Sequence, residues 1–326
     1  MEFSFGTDPE FILKDARGRL KSAIGVVPGT RSRRLTSEGC EFFYDNVLAE
    51  CAIPPAATRD DAVRNIGSAL RRYAGIVKPF RMTTEACGEF PAEELRHRDA
   101  RSSGCDREYC AYSMGVVPDA GVRSAMRRGG LRTAGGHVHI GTSMGSSHEE
   151  SVMLVRMLDL VLGTASIVMD SSGGAAKRRR LYGSAGRYRQ PAHGVEYRTM
   201  GNFWLASPRL VGIVFDICEA CVGMCERGLH RELWRVDRDR LESDDFWNSG
   251  GDPADCHECV GYDVGLVRSL FEMEKKDAME AGGEVLQFAM SLLPAETRDA
   301  VFEAGEKEYD MYEEWGLEAP TSSARA

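Results

Sequence analysis

From Arg132 to Gly141 the sequence reads RTAGGHVHIG. His137 and His139 stand two apart behind a glycine pair, inside an otherwise apolar run. Alternation along a β-strand puts residues i and i+2 on the same face, so both imidazoles point the same way. A metal, a phosphate or a pair of buried hydrogen bonds would each suit that arrangement. In every case the chain must build a sheet that presents this face to a site.

The surrounding sequence supports such a sheet. A first strand is expected over Glu2 to Leu13, broken by Pro9, which suits an edge or a bulge. DARGRL reads as a hairpin turn and KSAIGVV as its returning strand. EFFYDNVLAECAIPP supplies two more strand-like pieces, and VEYRTMGNFWL a strand running into a turn. Between these lie helices. Thr58 caps one, with Asp60 and Asp61 in its first turn and Ala62, Ile66, Leu70, Tyr73 and Ile76 along one face, up to Pro79. Ser146 and Ser147 precede a long helix from His148 to Met169, and Pro208 opens another, to about Gly228. The last third is mostly helical and acidic, and PTSSARA reads as a disordered tail from 319 to 326. Short hairpin-type connections favour an α+β fold: a mainly antiparallel sheet with helices packed on one side. No linker divides the chain, so residues 1–318 are expected to form a single unit, with 206–318 its mostly helical part.

Composition narrows the function. A net charge of -9 argues against general nucleic-acid binding by phosphate neutralisation, though not against a local basic pocket. The N-terminus carries no basic, apolar signal, and no run of about 18 apolar residues occurs, so a cytoplasmic location without a membrane helix is expected. Ten cysteines in such a chain are expected to stay reduced. Cys218, Cys221 and Cys225 share one helix face and read as small core residues. Cys256 and Cys259 form a CxxC, half of a structural zinc site that lacks a good second half.

Four segments place charged and metal-capable residues in apolar, strand-like contexts. GTDPEF carries Asp8 and Glu10, and DNVLAECAIPP carries Asp45, Asn46 and Glu50. The third is the histidine segment. The fourth, RRRLYGSAGRYRQPAHGVEYRTMGNFWL, carries Arg178, Arg179, Arg180, Arg187, Arg189, Glu196 and Arg198. Each residue has a plainer reading: a turn aspartate, a structural histidine, a solvated helix end, a surface ion pair. Together they say more. Carboxylates converging on one sheet face repel unless a cation lies between them. Hard oxygen ligands with an occasional imidazole suit Mg²⁺ or Mn²⁺, and arginines suit phosphate oxygens. The chain has no GxxxxGK[ST] loop, no kinase signature and no GxGxxG after a strand. Any nucleotide must therefore be held by a different fold.

These segments, with GCD at Gly104 to Asp106, resemble the phage-type COOH–NH2 ligases (amidoligase type 2) of the glutamine synthetase and glutamate–cysteine ligase superfamily, over roughly residues 4 to 205. The resemblance implies a curved antiparallel sheet forming a funnel, with ATP entering at one end, the amine acceptor at the other, and Mg²⁺ ions between. It implies metal ligation by Asp8, Glu10, Glu50 and Glu196 with one histidine, His137 or else His139. It implies phosphate contacts from Arg180, Arg189, Arg198 and His139, with Arg189, Glu196 and Arg198 acting in catalysis. Asp8 departs from the usual glutamate, and its shorter arm points to Glu10 as the firmer ligand.

The implied reaction is ATP-dependent ligation. A carboxylate takes the γ-phosphoryl group and an amine then displaces phosphate, with Asp45 or Glu38 as candidate base for the ammonium. Carboxylate donor and amine acceptor are open: free amino acids, a peptide, a protein side chain or a modified base. The alternatives are phosphoryl transfer on the same fold, as in guanidino kinases, and a non-catalytic virion or scaffold protein. The basic stretch from Arg123 to Arg132 reads either as a phosphate lip or as a solvated loop.

Overall fold

The computed structural model describes residues 3–101, 108–117, 129–145, 147–236, 238–251, 257–259 and 262–319. Among these, the strands that build the site are β1 (Ser4–Thr7), β2 (Glu10–Lys14), β3 (Cys40–Asp45), β4 (Leu48–Ala56), β5 (Val138–Gly141), β6 (Arg187–Arg189) and β7 (Gly194–Tyr197). They belong to one sheet of twelve strands in which every neighbour runs antiparallel. Its central order is β6–β7–β5–β1–β4–β2, and β3 also pairs with β4. Among the described residues no sheet is closed.

The expected first strand is two. β1 and β2 both pair with β4, so the break at Asp8 and Pro9 lies inside the sheet rather than at an edge, beside a register shift between Phe5 and Thr7. The break swings the Asp8 side chain out of the ladder and towards the histidine strand. Of KSAIGVV, only Lys21 lies in a strand, the short Leu20–Lys21.

Alternation sorts the two faces. Phe5 meets Trp204 and Phe215, while Phe11 and Phe42 both meet Tyr73. These contacts place helices Arg59–Ile76 and Pro208–Glu226 behind the sheet. The residues between those apolar positions face forward: Glu10 pairs directly with Glu50, Phe43 with Glu50, and His139 with both Gly6 and Glu196. Thr58 caps its helix as the sequence indicated, and Ser207 caps the helix that Pro208 opens.

The helix His148–Met169 also lies behind the sheet, capped by a Ser147–Glu150 capping box. It is long and apolar enough to cross a membrane, contrary to the sequence expectation. Its most apolar window is 94% buried inside the protein, which makes it a core helix here. Cys218, Cys221 and Cys225 are buried in the same core. That core extends from Phe3 to Leu317, so the helical C-terminal part packs onto the sheet's own core. Cys256, the Cys259 side chain and residues 320–326 lie outside the described residues, as do Asp106 and the basic residues from Arg123 to Arg128. Arg132 is buried and donates to Asn46 and the Ala100 carbonyl.

Candidate functional site

The glycine pair before the histidines has a packing reason. A Cβ on Gly135 would stand 2.5 Å from His137 Nε2, and one on Gly136 would stand 2.6 Å from the Gly201 carbonyl. Bare backbone therefore lets the His137 ring fold back and lets the strand press against the Gly201–Trp204 turn. The Gly135 N–H also donates to Glu10 Oε2 at 2.6 Å, which aims that carboxylate.

Two ligand groups result on the forward face. In one, Asp8, His139 and Glu196 each offer an atom within 4.8 Å of the others. In the second, Glu10, Asp45 and Glu50 do the same. Asp8 Oδ1 lies 3.1 Å from His139 Nε2, yet both atoms are buried without a hydrogen bond. Facing ligand atoms without a proton properly placed between them suit a shared cation. His137 stands deeper, with Nδ1 3.4 Å from Asp8 and 3.7 Å from Glu196. The sequence left open which of His137 and His139 would ligate a metal and which would contact phosphate. The geometry brings His139 into the ligand group and leaves His137 against Arg198, at 3.4 Å.

The electrostatics follow from burial and mutual repulsion. Burial, then the charge of Asp45, pushes the Glu10 carboxyl up to about 7, against the Gly135 N–H. Burial and Glu10 push Glu50 well above the usual range. Burial and Asp8 push Glu196 up to about 7, opposed by Arg189. Asp8 goes the other way. Burial would raise it, but the His137 and His139 imidazoles close beside it hold it well below ordinary carboxylates. Burial and then Arg198 depress His137 to about 3, so that imidazole is neutral. His139 is raised, because Asp8 outweighs its burial.

The arginines divide into three kinds. Arg189 lies 3.3 Å from Glu196, with its Nε buried and unbonded. Arg198 is 3% exposed and saturated: it pairs with Glu196, with Glu108 at 3.3 Å and with the Tyr182 hydroxyl. Arg180 is not brought to this face. Its guanidinium donates to the Glu272 carbonyl at 2.7 Å and to Glu274 at 3.2 Å. The arginine run is not a solvated helix end either. Arg178 and Arg179 are buried, donating to the carbonyls of Thr199 and Phe271. Sequence reasoning missed Glu108 and Tyr182, which hold Arg198, because nothing local marks residues whose role is set by a partner 90 and 16 positions away. Glu38 lies in a surface turn, accepting from Ser68.

A cavity of 410 Å³ adjoins the ligand groups, lined by Asp8, Glu50, His139, Phe43, Arg34 and His193. His193 stacks on His139 at 5.5 Å, and the Arg34 guanidinium lies 4.3 Å over the Phe43 ring.

Residues 116–234 match the family model of Phage phiEco32-like COOH.NH2 ligase-type 2. The family's name describes ligases that join a carboxylate to an amine. The matched segment holds the histidine strand, β6, β7 and the helix Pro208–Glu226. It starts later than the resemblance read from sequence and runs further. Asp8, Glu10 and Glu50 lie outside it, and only the fold brings them to it. No curated protein and no solved structure matches the chain.

One substitution separates two roles for Arg198. Lysine keeps the charge but cannot span Glu196, Glu108 and Tyr182 at once. Arg198→Lys is expected to cost about 2 kcal/mol and to lower turnover as well. Thermal unfolding and rate, measured on one preparation, check this. A destabilised variant with a wild-type rate per folded molecule would leave Arg198 purely structural.

Proposed function

We propose that the protein is an ATP-dependent carboxylate–amine ligase that uses Mg²⁺ or Mn²⁺. One observation carries this reading. Desolvated carboxylates and imidazoles, drawn from strands far apart in sequence, converge as two ligand groups on one sheet face with arginines beside them. Asp8, His139 and Glu196 would hold one cation, and Glu10, Asp45 and Glu50 another. The orphaned Asp8 and His139 atoms fit such an ion. When bound, the ions would neutralise phosphate oxygens and screen the carboxylate nucleophile from the triphosphate's charge.

The chain's own residues do the rest. Arg189, with a free Nε, contacts the transferring phosphoryl group. Arg198, His137 and Glu108 lock Glu196 in place. The substrate carboxylate attacks the γ-phosphorus and ADP leaves. The amine then attacks the acyl carbon and phosphate leaves. The twelve-stranded antiparallel sheet suits the funnel of the glutamine synthetase superfamily, with residues 1–318 as the ligase unit in the cytoplasm of a phage host.

The test is Mg²⁺-dependent ADP release with mixed amino acids or peptides, followed by mass-spectrometric identification of a condensed product. ADP and phosphate with an amide product are expected. A phosphorylated product without an amide would move the assignment to phosphoryl transfer. No nucleotide turnover, and no nucleotide binding, would leave a structural protein.

A further inference from the structure

The helix His148–Met169 is α-helical except for one π-turn, Asp159–Gly163. Such turns interrupt the regular ladder and recur where a side chain must be re-aimed. Asp159 opens this one and is fully buried. Its Oδ1 accepts the Tyr197 hydroxyl at 2.6 Å, while Oδ2 is buried without a hydrogen bond. Burial pushes its carboxyl up to about 7, against the bond from Tyr197. A distorted helix and a buried carboxylate both reduce stability. Where a chain keeps two such features at one position, function is the usual reason.

The group that Asp159 holds says which function. Tyr197 lies between Glu196 and Arg198 in sequence, pointing backward while they point forward. Glu196 pairs with both Arg189 and Arg198, and Arg198 also pairs with Glu108. One buried carboxylate thus anchors, from behind, the strand on which the site's arginines converge.

We propose that Asp159 is a positioning residue: from behind the sheet it fixes Tyr197, and so holds Glu196 and Arg198, and through Glu196 also Arg189, at their working spacing. This rests on reading the forward face as a metal and nucleotide site.

Asp159→Asn and Tyr197→Phe, singly and together, test it in the full chain. Mn²⁺ affinity is read by calorimetry and thermal unfolding by scanning calorimetry at pH 8. The asparagine variant should unfold no earlier than wild type, because a buried charge is gone, while its Kd for Mn²⁺ rises about tenfold. Tyr197→Phe should raise the Kd equally, and the double variant no further. A purely structural role would lower the unfolding temperature and leave the Kd of the folded protein unchanged, which overturns the proposal. So would a double variant whose losses add. If Asp159→Asn does not fold, Tyr197→Phe carries the measurement. A wild-type chain that binds no Mn²⁺ would bring down the metal reading and this proposal with it. A wild type that binds, with variants that bind equally, would overturn Asp159 alone.

Discussion

Replacing Glu196 with glutamine is expected to reduce nucleotide turnover by about a hundredfold or more and to weaken Mn²⁺ binding, with little change in unfolding temperature. The three effects have separate causes. Glutamine keeps the shape but removes the negative ligand atom from the group formed with Asp8 and His139. It also removes the charge that orients Arg189, 3.3 Å away. Stability is spared because Arg198 retains Glu108 and Tyr182, and because a carboxyl pushed up to about 7 by burial is no longer forced to ionise. Steady-state turnover, Mn²⁺ calorimetry and a melting curve check the three together. Undiminished turnover would remove Glu196 from the chemistry.

The second large effect is in pH and metal. Glu10 and Glu196 have carboxyls raised in the folded state from 4.5 to about 7, and Glu50 is raised well above the usual range. A carboxyl raised on folding binds its proton more tightly in the folded chain than in the unfolded one. The contribution of Glu10 and Glu196 is therefore present at low pH and lost as pH climbs from about 4.5 to about 7. For these two, each shift corresponds to about 3 kcal/mol. Asp8 has the opposite sign, so the acidic limb is not flat. Without divalent ions the unfolding temperature should fall between about pH 5 and pH 7.5. Mg²⁺ or Mn²⁺ at a hundredfold excess over its Kd should recover about 5 °C at pH 7.5 and almost nothing at pH 5, where protons occupy the ligands. Melting curves across that range, with and without metal, decide it. A metal effect independent of pH would place the ion elsewhere.

Much of the site was legible in the chain. Residues two apart on a strand share a face whatever the fold, so His137 with His139 and Glu196 with Arg198 could be paired by spacing alone, whereas the break at Pro9 sends Asp8 to His139 and Glu196 and leaves Glu10 with Asp45 and Glu50. Caps, helix faces and the glycine pair were also local, because backbone geometry and burial patterns act over a few residues.

What the chain did not disclose by itself was set by contacts between segments far apart in sequence. Which histidine joins the ligand group depends on the break after β1, which carries Asp8 to His139. Arg180 looked like its neighbours in sequence, but the C-terminal segment at Glu272 and Glu274 draws it away. Asp45 gained its place only when β3 paired with β4 and set it beside Glu10 and Glu50. Asp159 read as one polar residue in an apolar helix, and only packing puts it behind Tyr197. Spacing along a strand is determined by the backbone. Which strands meet, and which charge is left to bind a ligand, is determined by where burial makes an unpaired charge costly.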